Sequence, residues 1–280
     1  MKIGVSSYSF GYYARHSGAS YNDLCDKAKE MGYDGIEFVD LHGDDIPAIA
    51  KAIRAHCAKI GLEVTAYTVG ADFLKDDLQA EIARVKGCVD ITELLGAKVM
   101  RHDACWGFKT PKSHQTYRDA IAVIAPAIRE VTEYAAKKGI RTCTENHGFF
   151  IQEAYRLEEL IRAVDHPNYG WLIDIGNFAC ADEDSVHAVA IAAPYAFHVH
   201  AKDFLIKSGR MIDPGEGWFK SRGGNYLRGT VIGHGEIQIP QCVALLKAAG
   251  YDGYLSVEFE GMEHNLEALK MAIAYLKRFV

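Results

Sequence analysis

The stretch RTCTENHGFF, Arg141 to Phe150, begins like a buried strand and ends in a carboxylate, an amide and an imidazole at Glu145, Asn146 and His147. WLIDIGN ends in the same manner at Asp174. In AFHVHAK, alternation puts His198, His200 and Lys202 on one face and Phe197, Val199 and Ala201 on the other. In LSVEFEG, it sets Leu255, Val257 and Phe259 against Ser256, Glu258 and Glu260. Carboxylates that converge in a low-dielectric mouth cannot all stay ionised unless a positive charge sits among them. Glu145, Asp174, His200 and Glu258 therefore read as the ligands of one divalent metal ion. Three carboxylates and an imidazole form a hard, oxygen-rich set that suits Mn²⁺ first, then Mg²⁺, with Co²⁺ or Zn²⁺ as alternatives. His200 is preferred to His198 because it lies nearer the end of its strand, and Glu258 to Glu260 because Glu260 precedes a turn glycine. One strand-end carboxylate alone is more often a helix cap or an ion-pair partner; the argument rests on their recurrence in four consecutive strands.

The chemistry that fits such a centre is proton abstraction next to a carbonyl. A metal that holds a carbonyl and the adjacent hydroxyl oxygen stabilises the enediolate left when the proton departs. A carboxylate takes that proton. Return from the opposite face gives an epimer, whereas expulsion of a β-substituent gives an elimination product.

Eight strand candidates carry these residues: Ile3–Ser7, Gly35–Val39, Glu63–Val69, Lys98–His102, Arg141–Glu145, Gly170–Asp174, Ala196–Lys202 and Gly253–Phe259. Helix-period segments separate them, and glycines follow at Gly32, Gly61, Gly96, Gly139 and Gly250, where helices should stop. Strand then helix, eight times over, predicts an α/β fold, a single (β/α)₈ TIM barrel over residues 1–280 with its site at the C-terminal strand ends. A doubly wound open sheet would need a phosphate-binding glycine fingerprint after the first strand, and SSYSFGYY is not one. Parallel barrel strands are covered on both faces, so polar residues within them are informative.

The same register offers further substrate contacts. Glu37 ends the second strand, His102 the fourth, His147 follows the fifth, and Lys202 shares the inner face with His200. The alternative for Lys202 is a buried ion pair with Asp203 or Glu258. Residues 204–232 show no period and are expected to form a long loop over the mouth. Arg222, Asn225 and Arg228 there could bind substrate hydroxyls or a phosphate, and Trp218 and Phe219 could offer a sugar an apolar platform; an oligomer contact is the competing use.

A chain of 280 residues with 49% hydrophobic content can bury a full core. A net charge of −6 leaves no basic stripe for nucleic acid. Nowhere do some 18 apolar residues run together as a membrane span needs, and MKIGVSSYSF lacks the features of a signal peptide, so a cytoplasmic protein without membrane contact is expected. Seven scattered cysteines with no C-x-x-C pair fit reduced packing thiols. The expected partner is a small carbohydrate, with assembly into a homo-oligomer open.

The motifs TENHG, LIDIGN, HVHAKDF and YLSVEFEG resemble those of the xylose isomerase-like barrels, often called the sugar phosphate isomerase/epimerase family. The resemblance covers essentially the whole chain. It implies a Glu, Asp, His, Glu metal site on Glu145, Asp174, His200 and Glu258, and, from the ketose epimerase branch, an acid/base role for Glu145 and Glu258. Two positions depart from that branch: Asn177 stands where it carries a substrate-binding His, and Ile206 where it carries an Arg. ENHGFF and SRGGNYLRGTVIGHGEI look closer to the branch of keto-glycoside and inosose enzymes. The expected function is thus a divalent-metal-dependent sugar isomerase or epimerase. The alternatives are a keto-sugar dehydratase acting by β-elimination, a metal-dependent phosphodiesterase, which would want a basic face and more His and Asp ligands, and a non-catalytic sugar-binding subunit.

Overall fold

The alternation of periods along the chain becomes an alternation of elements. In the computed structural model, which describes residues 1–280, β1 (Lys2–Ser6), β2 (Gly35–Val39), β3 (Glu63–Val69), β4 (Val99–His102), β5 (Arg141–Glu145), β6 (Tyr169–Asp174) and β7 (Ala196–Ala201) pair in parallel sequence. The last barrel strand, β11 (Tyr254–Val257), lies between β7 and β1 and closes the barrel. The eight expected strands are all present with ends shifted by no more than a few residues.

Several helices start and stop for a local reason. In α2 (Tyr21–Met31), Ser20 and Asp23 form a reciprocal cap; in α3 (Ile46–Ile60), the Asp45 carboxylate accepts from the Ala48 amide, and Gly61 takes the left-handed stop at φ 67°. Next come α4 (Leu78–Leu95), α5 (Tyr117–Ala136), α6 (Ala154–Val164), α7 (Ser185–Ala192), α8 (Ile239–Ala248) and α9 (Asn265–Leu276). The main core lies between this ring and the outward faces of the strands. No helix is long and apolar enough to cross a membrane. All seven cysteines are free.

Inside the barrel, the end opposite the site is filled by a separate small cluster of Ala66, Val99, Cys143 and Leu172. Phe197, expected on the outer face, packs on that inner cluster instead. The pairing of β6 with β7 slips between Trp171 and Leu172, which turns the ring inward over the space left by Gly170, where a Cβ would come within 2.7 Å of it.

Three features escaped the sequence pattern. A 3₁₀ turn (Ser7–Phe10) runs into a short helix, α1 (Gly11–Ser17), between β1 and α2, and a second 3₁₀ turn (Asn177–Ala181) follows β6. Residues 204–232 are not a featureless loop: β8 (Asp203–Lys207), β9 (Phe219–Lys220) and β10 (Tyr226–Thr230) build an antiparallel sheet in the order β8-β10-β9. Asp203 anchors its return. The carboxylate is buried and accepts backbone N–H bonds from Phe204, Gly233, Gly235 and Ile237 at 2.8–3.2 Å. Gly235 cannot carry a side chain, since a Cβ would lie 2.1 Å from Asp203 Oδ1. Asp203→Ala should therefore loosen the sheet and cost about 2–3 kcal/mol, the scale of losing hydrogen bonds to a charged group. Faster amide hydrogen exchange confined to residues 204–237 would be the signature, and unchanged exchange there would contradict it.

Candidate active site

The site sits where β5, β6, β7 and β11 end. Glu145, Asp174, His200 and Glu258 each bring a ligand-type atom to one place, all within 4.8 Å of one another. His200 Nδ1 lies 3.7 Å from Glu145 Oε1, 3.7 Å from Asp174 Oδ2 and 3.5 Å from Glu258 Oε2. These spacings exceed a good hydrogen bond and fall below twice a bond of about 2.1 Å, so they suit atoms grouped around an ion. Asp174 Oδ2 and His200 Nδ1 are buried and form no hydrogen bond, although Lys202 Nζ stands 3.3 Å from Asp174 Oδ2 as an ion pair. Buried polar atoms are rarely left so, and here two of them converge on one point. The donor set and its orphaned atoms fit a divalent cation.

Local folding explains why these atoms point inward. Asp174 Oδ1 accepts from the Gly176 and Asn177 amides at 2.8 and 2.9 Å, which leaves Oδ2 for the cluster. His200 is held from behind by Glu37, whose Oε1 lies 2.8 Å from His200 Nε2 while its Oε2 is 2.6 Å from His198 Nε2. Glu37 faces Nε2 as an ion-pair partner, which orients the ring so that Nδ1 is the nitrogen turned to the cluster. Glu37 is thus buried behind the histidines and does not face the mouth as its strand-end position suggested. His198, on the same inner face, turns its Nε2 to Glu37 Oε2 and to Ser256 Oγ at 3.1 Å.

Two buried cations balance the carboxylates. Lys202 Nζ lies 2.7 Å from Glu258 Oε2, 3.3 Å from Asp174 Oδ2, 3.2 Å from Glu260 Oε2 and 3.2 Å from Asn177 Oδ1. Arg101 Nη2 lies 2.7 Å from Glu145 Oε2 and 2.6 Å from Asp103 Oδ1. Burial opposes ionisation of Glu145, yet Arg101 and His200 outweigh it and hold that carboxyl well below its ordinary range. Lys202 and His200 do the same for Glu258. At Asp174, burial prevails over Lys202 and raises the carboxyl. His200 moves well above its ordinary value because Glu37 and Glu258 overcome its burial. Asn177 ties the halves together, donating to Glu145 Oε1 at 2.9 Å and accepting from Lys202.

Other expected contacts are redistributed. His147 is partly exposed, with Nδ1 3.1 Å from Asp103 Oδ1, so Asp103 joins an imidazole at the mouth to the Arg101–Glu145 pair. Burial lowers the His147 imidazole, but Asp103 and Glu145 raise it by more. Asn146 points away from any substrate: its amide accepts from Trp171 Nε1 and the Asp174 N–H and donates to the Asp174 carbonyl, stitching β5 to β6. Arg222 pairs with Glu153, Asn225 with Asp182, and Arg228 with Glu263, so none of the three reaches the cluster. Trp218 lies between Lys207 and Arg228, and Phe219 packs on Phe204.

His102 points out of the barrel, stacked on Tyr169 and edge-on to Phe73, while its neighbour Arg101 takes the inner position. It donates from Nδ1 to the Asp103 carbonyl at 2.9 Å, leaving Nε2 buried without a partner. Burial pushes the imidazole down to about 4. Between its unfolded value near 6.5 and this native value, the unfolded chain holds a proton that the folded chain rejects, so stability is complete above about pH 6.5 and falls as pH drops toward 4. The loss approaches about 3 kcal/mol. In urea titrations at pH 7.5 and 4.5, His102→Phe should lose less stability than the parent by about this amount; equal losses would refute the assignment.

Arg101 and Asp103 are the site residues that the strand-end reading passed over, while Glu260, set aside there in favour of Glu258, and Asn177, noted only as a departure from the ketose epimerases, both reach Lys202. An arginine inside an apolar strand was the available signal, because it must find a carboxylate.

Comparison with known proteins agrees with this fold. An inosose dehydratase of Mesomycoplasma hyopneumoniae strain 7448 is 24% identical over 283 residues, covering 93% of this chain and 89% of the relative. The fold superposes on the probable 3-DHS dehydratase of Bacillus anthracis with a TM-score of 0.77, at 19% identity and covering 99% of each chain. It also superposes on the 3-keto-D-glucoside 4-epimerase of Escherichia coli at 0.72, with 18% identity over 99% of each chain. A barrel from Mycobacterium smegmatis in complex with magnesium gives 0.75 at 18% identity, over 99% of this chain and 96% of that one. Residues 25–279 match the family described as xylose isomerase-like TIM barrel, so the chain belongs to that family and is an enzyme.

Proposed function

We propose that the protein is a divalent-metal-dependent isomerase or epimerase that moves a proton at a carbon next to a carbonyl of a sugar, polyol or keto-glycoside. The observation that carries this reading is the convergence of Glu145, Asp174, His200 and Glu258 around one point, where Asp174 Oδ2 and His200 Nδ1 form no hydrogen bond. These four side chains would hold the ion, Mn²⁺ by preference with Mg²⁺, Co²⁺ or Zn²⁺ as alternatives. When bound, it supplies Lewis-acid stabilisation of charge that develops on substrate oxygens. Glu145 and Glu258 are the acid/base pair. Each is kept ionised by its own cation, Arg101 or Lys202, so either can accept a proton. For epimerisation the second carboxylate, ionised in the free protein, first gains a proton from a substrate hydroxyl or from solvent and then delivers it to the other face of the carbon.

A second reading, β-elimination, draws on the His147–Asp103 pair. An imidazole raised by a carboxylate holds its proton more tightly than a free one and can deliver it to a departing hydroxyl. Relatives named dehydratases favour this outcome, and relatives named epimerases favour the first. A phosphodiesterase reading has less support, since the net charge is −6 and the other metal-type group, Glu37 with His198 and His200, shares His200 with the first. A purely sugar-binding subunit would keep ligand affinity without turnover.

Proton NMR in D₂O with Mn²⁺-loaded protein and a panel of ketoses, inososes and 3-keto-glycosides separates these readings. Deuterium entering at carbon, abolished by EDTA, is the expected result; loss of a hydroxyl or of an aglycone identifies elimination. Metal-loaded protein that exchanges no carbon-bound proton in any of them would overturn the reading.

A further inference from the structure

A cavity of about 1050 Å³ lies beside the four-residue cluster, between the turn after β1 and the segment after β11. Glu260 joins the two spaces. It lines the cavity, its Oε2 lies 3.2 Å from Lys202 Nζ, and Lys202 in turn lies 2.7 Å from Glu258 Oε2. Across the cavity, Tyr8 donates its hydroxyl to Glu260 Oε1 at 3.2 Å.

Three large side chains face this space while remaining accessible: Tyr8 at 47%, Tyr12 at 53% and Met262 at 57%. Tyr12 is not a loose surface residue. Its ring stacks on His16 at 3.9 Å with an interplanar angle of 25°, and His16 Nδ1 is hydrogen-bonded to the Tyr12 carbonyl at 2.8 Å. His264 stands edge-on at 6.4 Å. Around these groups sits a polar fringe that includes Asp40, whose backbone is held at φ 27°, in the left-handed region, by its N–H bond to the Thr68 carbonyl at 3.0 Å. A position of that kind persists only where its surroundings enforce it.

None of Glu145, Asp174, His200 and Glu258 lines this volume, so a ring reacting between Glu145 and Glu258 would leave it free. The volume is at the upper end of what a drug-sized ligand fills, roughly 300–1,000 Å³, and flat aromatic walls with a few polar groups are what an apolar-faced ring requires. We propose that the cavity is a subsite for a second ring, and that the substrate is a keto-glycoside whose aglycone is a six-membered ring with an apolar face, aryl or sugar, seated against Tyr12 and Met262. This inference rests on the reading of the cluster as the centre of carbonyl-adjacent proton transfer.

The test uses binding, which does not depend on turnover. The Mn²⁺-loaded full chain is titrated calorimetrically with p-nitrophenyl β-D-glucoside and with methyl β-D-glucoside, which share a sugar and differ in the second ring. The aryl glucoside should bind about tenfold more tightly, and Tyr12→Ala or Met262→Ala should each reduce that ratio by about fivefold, the scale of one aromatic or sulfur contact. Both residues are exposed, so circular dichroism should show the variants folded. Equal affinities in the parent, an unmoved ratio in both variants, or no binding of either probe would overturn the subsite. The two readings fail separately: deuterium exchange on a single-ring ketose with a ratio of one removes the subsite alone, and a Tyr12-dependent ratio without exchange on any substrate removes the proton-transfer reading alone.

Discussion

Glu145→Gln should bind substrate with little change and lose turnover by about 10²–10⁴-fold, the usual contribution of a positioned general base. The substitution keeps the shape of the side chain and a carbonyl oxygen that can still face the cluster, but removes the proton acceptor. Its buried partners sharpen the test. Arg101 keeps Asp103 when Glu145 is neutralised, and Asn177 Nδ2 can still donate to the remaining carbonyl oxygen, so the fold should survive. Glu258→Gln should behave alike, with Lys202 retaining Asp174 and Glu260. Metal content must be measured in both variants. Loss of turnover with metal retained identifies proton transfer, whereas unchanged turnover in either variant would remove that carboxylate from the mechanism. A binding module would show neither loss.

Lys202→Met should destabilise the metal-free protein by about 3–5 kcal/mol, because it leaves Asp174, Glu258 and Glu260 facing one another without their shared cation. A divalent ion supplies charge to the same carboxylates. Adding Mn²⁺ should therefore raise the melting temperature of Lys202→Met more than that of the parent, and at about a hundred times its dissociation constant it contributes about 2.7 kcal/mol. Equal increments in both proteins would mean that lysine and ion do not share their partners. No increment in either would sink the metal reading itself.

Much of this centre was legible because barrel strands obey a period of two. Glu145, Asp174, His200 and Glu258 stood out as polar residues on faces that should have been apolar, and the fold brings them together. The same rule failed at β4, whose four residues give only two inner positions; Arg101 and His102 are both plausible ligands, and the phase was taken one residue late. Glu37 was visible as a strand-end carboxylate, but its partner His198 is 161 residues away, and no local pattern announces so distant a contact. Phe197 was misplaced because a slip in register leaves no mark in a single strand. The sheet of β8, β9 and β10 went unread because β9 has only two residues and the whole segment lacks a sustained period.

That sheet has a consequence for how such an enzyme can change. It rises directly after Lys202, is clamped at its base by Asp203, and meets the segment after β11 where Gly229 bridges Gly261. Its strand pairing is its own, Asp182 holds Ser221 and Asn225 and Glu263 holds Thr230, and residues 208–218 at its tip belong to no barrel strand. The tip is an exchangeable cassette: a transplant between Lys207 and Phe219 from another barrel should alter which molecules enter while the barrel keeps its melting behaviour. Diversification of the rim is thereby uncoupled from maintenance of the scaffold, and Asp203 is the junction that any such graft has to preserve.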